Sequence, residues 1–241
     1  MGFATVFLGS NFTYFFDVGS PLAMPSLEAY WRAGDLALGA VPSWTDLSGK
    51  ARHLPQADPT KQPVNTAAQI NGKNAVVFDG VDDFFDNTNI VIPQPWEFWL
   101  LFKRLSFVSG DFLYELRTTT LSLYSQDFAT TTLRTIAGGT FNSTIVAAGA
   151  GSPWYLLRVS SAAGTNNTNV VVNNGAVVTT PASGTTTFGI ERLILGGKVG
   201  GTLNPNIAVA EAFLLNAVST AAQRTALHNY FNDAYALGLT P

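Results

Sequence analysis

From residue 75 onward the chain is cut into short apolar runs, each closed off by Gly, Asn, Pro or Ser. Residues 75–78, 96–102, 112–116, 121–124, 154–159, 192–195 and 207–215 are rich in β-branched and aromatic side chains. Runs this short between turn formers predict strands. In 96–102, Trp96, Phe98, Leu100 and Phe102 share one face. The sharpest local signal is 169–178, where Asn174-Gly175 separates two valine runs. That pair predicts a two-residue hairpin turn with both residues at positive φ. Threonine clusters at 118–120 and 130–132 suit half-exposed pleats and keep a sheet soluble with few charges. Only the C-terminus predicts a helix. Thr220 and Gln223 match a capping box, with Ser219 as the competing cap. Leu227, Phe231 and Ala234 then share a face that Tyr230 widens, and Gly238 marks the expected stop.

The 241 residues allow one large all-β domain or two small ones, and 46% hydrophobic content supports a packed core. No linker or repeat interrupts 45–235, so a single domain over 27–241 is expected, preceded by an N-terminal arm over 1–26. Charged residues make up 12% and the net charge is -3, which lacks the basic footprint of a nucleic-acid binder. The absence of cysteine removes disulfides, thiolate metal sites and a cysteine nucleophile. Two histidines, His53 and His228, leave little for a multi-histidine metal centre. No apolar run reaches the length of a membrane span.

Residues 1–18 are apolar, yet no Lys or Arg precedes Arg32, so a secretory signal is not matched and the segment reads as part of the mature protein. Its rings are Phe3, Phe7, Phe12, Tyr14, Phe15 and Phe16. Phe12, Tyr14 and Phe16 would share one strand face. Two readings stand: a strand buried in the domain's own sheet, or an arm that docks on a partner. Free exposure of so many rings would invite aggregation. Three N-x-S/T sequons, at Asn11, Asn142 and Asn166, read as chance in an Asn/Thr-rich chain.

Three ordered segments resemble the concanavalin A-like, laminin G-like jelly rolls. The first is Trp44-Thr45-Asp46-Leu47-Ser48-Gly49 followed by Phe78-Asp79-Gly80-Val81-Asp82-Asp83, similar to the family's W-x-D-x-S-G and F-D-G-x-D-D stretches. The second runs from Trp154 to Val159 into the Asn174-Gly175 hairpin. The third is Leu195-Gly196-Gly197, the strand holding Ala210-Glu211, and the helix from Ser219 to Tyr235. The resemblance spans about 27–237 and implies an all-β fold, a jelly-roll sandwich of two antiparallel sheets with a short C-terminal helix. Within such a fold Asp46 would hold a turn, Gly80 would allow one, and Trp31, Trp44 and Phe78 would be core. Glu211 would be either paired or on an exposed face.

Glycosidases of this fold carry an E-x-D-x-E strand, and no such strand occurs here. Glu97 and Glu115 stand alone, and Glu191 and Glu211 fall in different strands. Catalysis by an acid pair is therefore not expected. No G-x-S-x-G, Walker or dinucleotide motif occurs either. No cofactor is required, though Asp79, Asp82, Asp83, Asp86 and Asn87 are oxygen donors of the kind Ca²⁺ takes. The expected function is a non-catalytic structural or adhesive protein on a virion surface, as a bacteriophage capsid decoration or tail component. The arm would dock on other virion proteins, and the chain would form a homo-oligomer such as a trimer. The alternative is a carbohydrate-binding module, with Trp96, Trp99 and Tyr124 as rings for a cell-surface glycan. Trp96 and Trp99 should point to opposite faces of their strand.

Overall fold

The structure, a computed structural model, describes residues 3–7, 13–17, 19–118, 122–129, 132–137, 140–146, 153–164, 167–181 and 189–239. In chain order the strands begin with β1 (Phe3–Phe7), β2 (Thr13–Asp17), β3 (Leu27–Arg32), β4 (Gly39–Ala40), β5 (Ser43–Trp44) and β6 (Leu54–Pro55). Then come β7 (Val64–Ile70), β8 (Lys73–Asp79), β9 (Phe85–Asn87), β10 (Trp96–Arg104), β11 (Phe112–Arg117), β12 (Ser122–Ala129) and β13 (Thr132–Ala137). The last are β14 (Thr140–Val146), β15 (Tyr155–Ser161), β16 (Asn167–Val172), β17 (Val178–Pro181), β18 (Arg192–Leu195) and β19 (Asn206–Leu215), followed by helix α1 (Ala221–Tyr235). No described helix is long and apolar enough to cross a membrane.

Two antiparallel sheets carry the body. The larger has nine strands in the order β17-β16-β15-β10-β19-β8-β7-β4, with β3 also on β19. Strand β19 pairs along its length with β10; on its other edge β8 takes residues 206–209 and β3 takes 211–215. The smaller sheet has six strands in the order β14-β13-β12-β11-β18-β9. Alternation sends Trp96, Phe98, Leu100 and Phe102 of β10 into one core with Tyr114 and Leu116 of β11 and Leu193 and Leu195 of β18. Phe98 and Tyr114 meet there with ring centroids 4.9 Å apart. This is the sandwich expected from the sequence, and Trp31, Trp44 and Phe78 all lie in its core. Gly196 is where the chain must have no side chain: a Cβ there would fall 2.2 Å from the Phe78 ring, and its φ is +81°.

A second core lies on the other face of the nine-stranded sheet, where Tyr30, Trp99, Leu101 and Phe213 pack under Leu227, Tyr230 and Phe231 of α1. Met24 already belongs to it. The helix starts as expected, with both bonds of the Thr220–Gln223 capping box formed. It ends earlier than Gly238 suggests, because Ala236 takes the left-handed cap at φ 52°.

Strand β19 departs from strict alternation. Ile207 and Val209 face the inter-sheet core, and so do Ala212 and Leu214. The pairing with β10 shifts between Leu101 and Phe102, leaving Ala210 extra. This bulge reverses the phase, as bulges do. It keeps Glu211 out of the apolar sandwich and turns it toward α1. There Glu211 Oε1 accepts hydrogen bonds from Tyr230 (2.8 Å) and Tyr235, and Oε2 accepts one from Tyr30 (3.0 Å). Glu211 is therefore paired and buried, the first of the two readings left open by the sequence.

The valine hairpin forms, but its turn sits one residue earlier than Asn174-Gly175. Asn173 and Asn174 take positive φ, 49° and 59°, and Gly175 N–H donates to Val172 C=O at 2.8 Å. The shift has a tertiary cause: Asn173 Oδ1 accepts from the Leu156 N–H at 2.8 Å, anchoring that residue to β15. Strands β1 and β2 pair with each other, Phe3 opposite Asp17, as a separate two-stranded sheet. Phe3, Phe7, Tyr14, Phe15 and Phe16 belong to its two strands; Phe12 lies outside the described residues.

Candidate functional site

With α1 over the nine-stranded sheet, the outer face that no described helix covers belongs to the six-stranded sheet. Alternation in β11 sends Tyr114 and Leu116 inward, so Glu115 and Arg117 face out. Register then sets their neighbours: Tyr124 opposite Glu115, and Ser122 and Arg192 on either side of Arg117. Asp86 comes beside Ile194 from β9.

Four of the described charges on this face pair with one another. Glu115 is 1% exposed. Its Oε1 accepts from Ser122 Oγ and lies 3.6 Å from Arg117, and its Oε2 accepts from the Val199 N–H at 2.8 Å. Arg192 grips Asp86 with two parallel bonds, Nε to Oδ1 at 2.7 Å and NH2 to Oδ2. Two arginines on adjacent strands would repel, and these two carboxylates make the arrangement tolerable. Beside them is a cleft of about 240 Å³ lined by Thr88, Arg117, Thr118, Glu191, Arg192 and Val199. One strand over, Tyr124 is half-buried and stacks on Phe112, centroids 3.9 Å apart at 13°. Lys198 Nζ lies 5.8 Å from the Phe112 centroid. Burial and the nearby Glu115 carboxylate push the Tyr124 hydroxyl up, against the pull of Arg134. Among the described residues the face offers the Tyr124 ring for stacking, the guanidinium groups of Arg117 and Arg192 held in fixed orientation, and hydroxyl and carboxylate acceptors.

The three rings named as stacking candidates do not come together. Trp96 is 0% and Trp99 1% exposed, so neither presents a face to a ligand. They do point to opposite sides of β10, as expected: Trp96 into the sandwich and Trp99 under the helix. Trp99 Nε1 donates to Glu97 Oε1 at 2.6 Å, and Ser219 Oγ donates to the same oxygen at 2.6 Å. Arg158 completes the buried pair with Glu97 at 3.2 Å. His228 closes over Trp99, and burial, with Arg158 and Arg224 nearby, holds its imidazole below the usual value. Of the three, only Tyr124 stands where a ligand could reach it. Arg117 and Arg192, which share its face, carry no motif in the sequence.

The acidic run also divides. Carboxylate oxygens of Asp79, Asp82 and Asp83 lie within 4.8 Å of one another. Asp86 does not join them, because Arg192 draws it to the open face. Two of the clustered oxygens already hold the turn itself. Asp79 Oδ1 accepts from the Val81 and Asp82 N–H groups, and Asp83 Oδ2 accepts from the Asp79 N–H at 2.9 Å. Gly80 has φ +80° and lies against Asn206, as the turn expected from the sequence requires. Burial, together with the charges of Asp79 and Asp82, pushes the Asp83 carboxyl up to about 6. Asp79, Asp82 and Asp83 are the donors a Ca²⁺ would use. Asp46 likewise plays its expected structural part. Although burial opposes its charge, N–H groups of Tyr30, Ser48 and Arg52 hold its carboxyl below the usual range.

No protein-family model matches this chain, and no curated protein matches it. Solved structures do share its fold. A Trypanosoma rangeli sialidase in complex with the inhibitor DANA is 15% identical with a TM-score of 0.54, over 84% of this chain and 32% of the sialidase. A GH54 α-L-arabinofuranosidase soaked with a cyclic sulfate inhibitor is 11% identical with a TM-score of 0.57, over 87% of this chain and 59% of that one. The binding domain of botulinum neurotoxin serotype D is 9% identical with a TM-score of 0.61, over 85% of this chain and 52% of that one. The chain thus spans a third to somewhat over half of these proteins, and at such identities the likeness is one of fold: an antiparallel β-sandwich.

Proposed function

We propose that the chain is a non-catalytic β-sandwich that holds a glycan on the open face of its six-stranded sheet. The observation that carries this reading is the half-buried Tyr124 ring, backed by Phe112, beside the arginine-lined cleft. Sugar sites combine an aromatic platform with a few fixed polar groups. The acid pair that glycosidases need, two carboxylates about 5–9.5 Å apart across a cleft, finds no counterpart among the described clefts: each is lined by at most one carboxylate. Asp86 and Glu115 are committed to arginines. The occurrence of similar sandwiches in a sialidase, an arabinofuranosidase and a toxin binding domain fits this reading. A glycan array probed with the intact chain and with Tyr124→Ala tests it. Binding is expected for the intact chain and lost in the variant, whose melting temperature falls by only a few degrees. Full binding by the variant, or hydrolysis of the bound glycan, overturns it.

The adhesive setting we favour is a virion surface, with the chain repeated in a symmetric homo-oligomer. Support comes from the β1–β2 hairpin, which pairs with itself outside both large sheets and concentrates aromatic residues. Removal of residues 1–18 is expected to convert an oligomer to a folded monomer by light scattering. An intact chain that is already monomeric at micromolar concentration defeats this part of the reading and leaves the glycan site untouched.

A further inference from the structure

A second cleft, of about 370 Å³, lies on the opposite side of the molecule, where β3, β8 and the end of α1 meet. Its chemistry is layered. The floor is Glu211 with the hydroxyls of Tyr230 and Tyr235; Tyr30 supports Glu211 from behind. Glu211 is 1% exposed, and only one bond, from Tyr30, is made to its Oε2. That oxygen keeps a lone pair for another donor. The rim is cationic. Arg32 spends its Nε and one terminal nitrogen on Asp35, which leaves the other terminal nitrogen. Lys73 is exposed, and its ammonium lies 5.9 Å from the centroid of the Tyr235 ring. Among the described residues no carboxylate pairs with Lys73. Asn74 adds an amide beside it.

We propose that this cleft binds a uronate-type sugar, the acidic residue of a glycan, with its carboxylate at Lys73 and Arg32 and its hydroxyls on the Glu211 floor. The layering selects this class. Once Glu211 is ionised, a small inorganic anion that filled the cleft would meet its carboxylate. A neutral sugar would leave the rim cations unanswered. A sugar acid places hydroxyl donors at one end and negative charge at the other, matching floor and rim together. The inference stands on its own geometry and does not rest on the Tyr124 face, which lies across the sandwich.

Titration of the intact chain with glucuronate, glucose and sodium sulfate, followed by NMR, tests it. Glucuronate is expected to bind, with glucose at least tenfold weaker. Lys73→Ala is expected to weaken glucuronate at least tenfold without changing the melting temperature, since Lys73 is exposed. Tyr124→Ala should leave glucuronate binding unchanged, which separates this site from the open face. Absence of glucuronate binding, equal binding by Lys73→Ala, or sulfate binding as tightly as glucuronate would each overturn the assignment.

Discussion

The two outer faces of the sandwich treat polar groups in opposite ways. Under the helix, Glu97, Glu211 and His228 are buried among rings, and each carboxylate accepts from donors on at least two elements. On the open face, Arg117 and Arg192 keep 29% and 31% of their side chains exposed, and their carboxylate partners hold them in place. The same device, a carboxylate paired with an arginine, therefore clamps one face, where Glu97 meets Arg158, and leaves guanidinium groups exposed on the other. What decides is whether a further layer covers the sheet. The aromatic residues follow the same division: Trp99 is a buried anchor, and Tyr124 is a partly exposed ring stacked on Phe112.

The sharpest way to break this comparison is to truncate one ring on each face. Trp99→Ala removes a ring that packs on Phe213 at 5.6 Å, receives His228 edge-on and bonds Glu97. A fully buried Trp→Ala change costs about 3–5 kcal/mol, and here it also removes one donor from a buried carboxylate. Tyr124→Ala loses one stacked pair, worth about 1 kcal/mol. Urea unfolding should show this several-fold difference. Equal losses would mean that the open face is as much a part of the core as the helix side.

Much of this division could be read in the sequence, and the part that could not has a common cause. The apolar runs located the strands, the period of two put Trp96, Phe98, Leu100 and Phe102 on one face, and Thr220 with Gln223 located the helix start. These are local signals. Whether both faces of β10 are buried depends on α1, more than a hundred residues away, so Trp96 and Trp99 looked available for stacking. Asp86 read as part of an acidic run because its partner, Arg192, is 106 positions distant. Strict alternation in β19 would have sent Glu211 into the sandwich with Ile207 and Val209. The bulge at Ala210 that prevents this leaves no mark in an apolar run. The Asn173-Asn174 turn was displaced by one side-chain bond to β15, again a tertiary contact.

The second difference between the faces is their response to pH. Burial raises the Glu211 carboxyl to about 7 from an ordinary 4.5, despite hydrogen bonds from Tyr235, Tyr230 and Tyr30 and the charge of Arg32. The folded chain therefore still holds a proton that the unfolded chain has released. Such a group favours folding most fully below about pH 4.5, and the advantage falls as pH rises to about 7, by about 3 kcal/mol in all. Asp83 and Asp111, both raised to about 6 chiefly by burial, act in the same direction. His228, held low, acts in the opposite direction up to its unfolded value of 6.5. Melting temperatures between pH 5 and pH 8 should fall on balance. In Glu211→Gln the group cannot ionise, and its amide can still bond the tyrosines, so the fall should be smaller and the variant more stable than the parent at pH 8. An unchanged slope in the variant would mean that the three tyrosine hydroxyls fully solvate the carboxylate, and that the helix-covered face tolerates charge as readily as the open one.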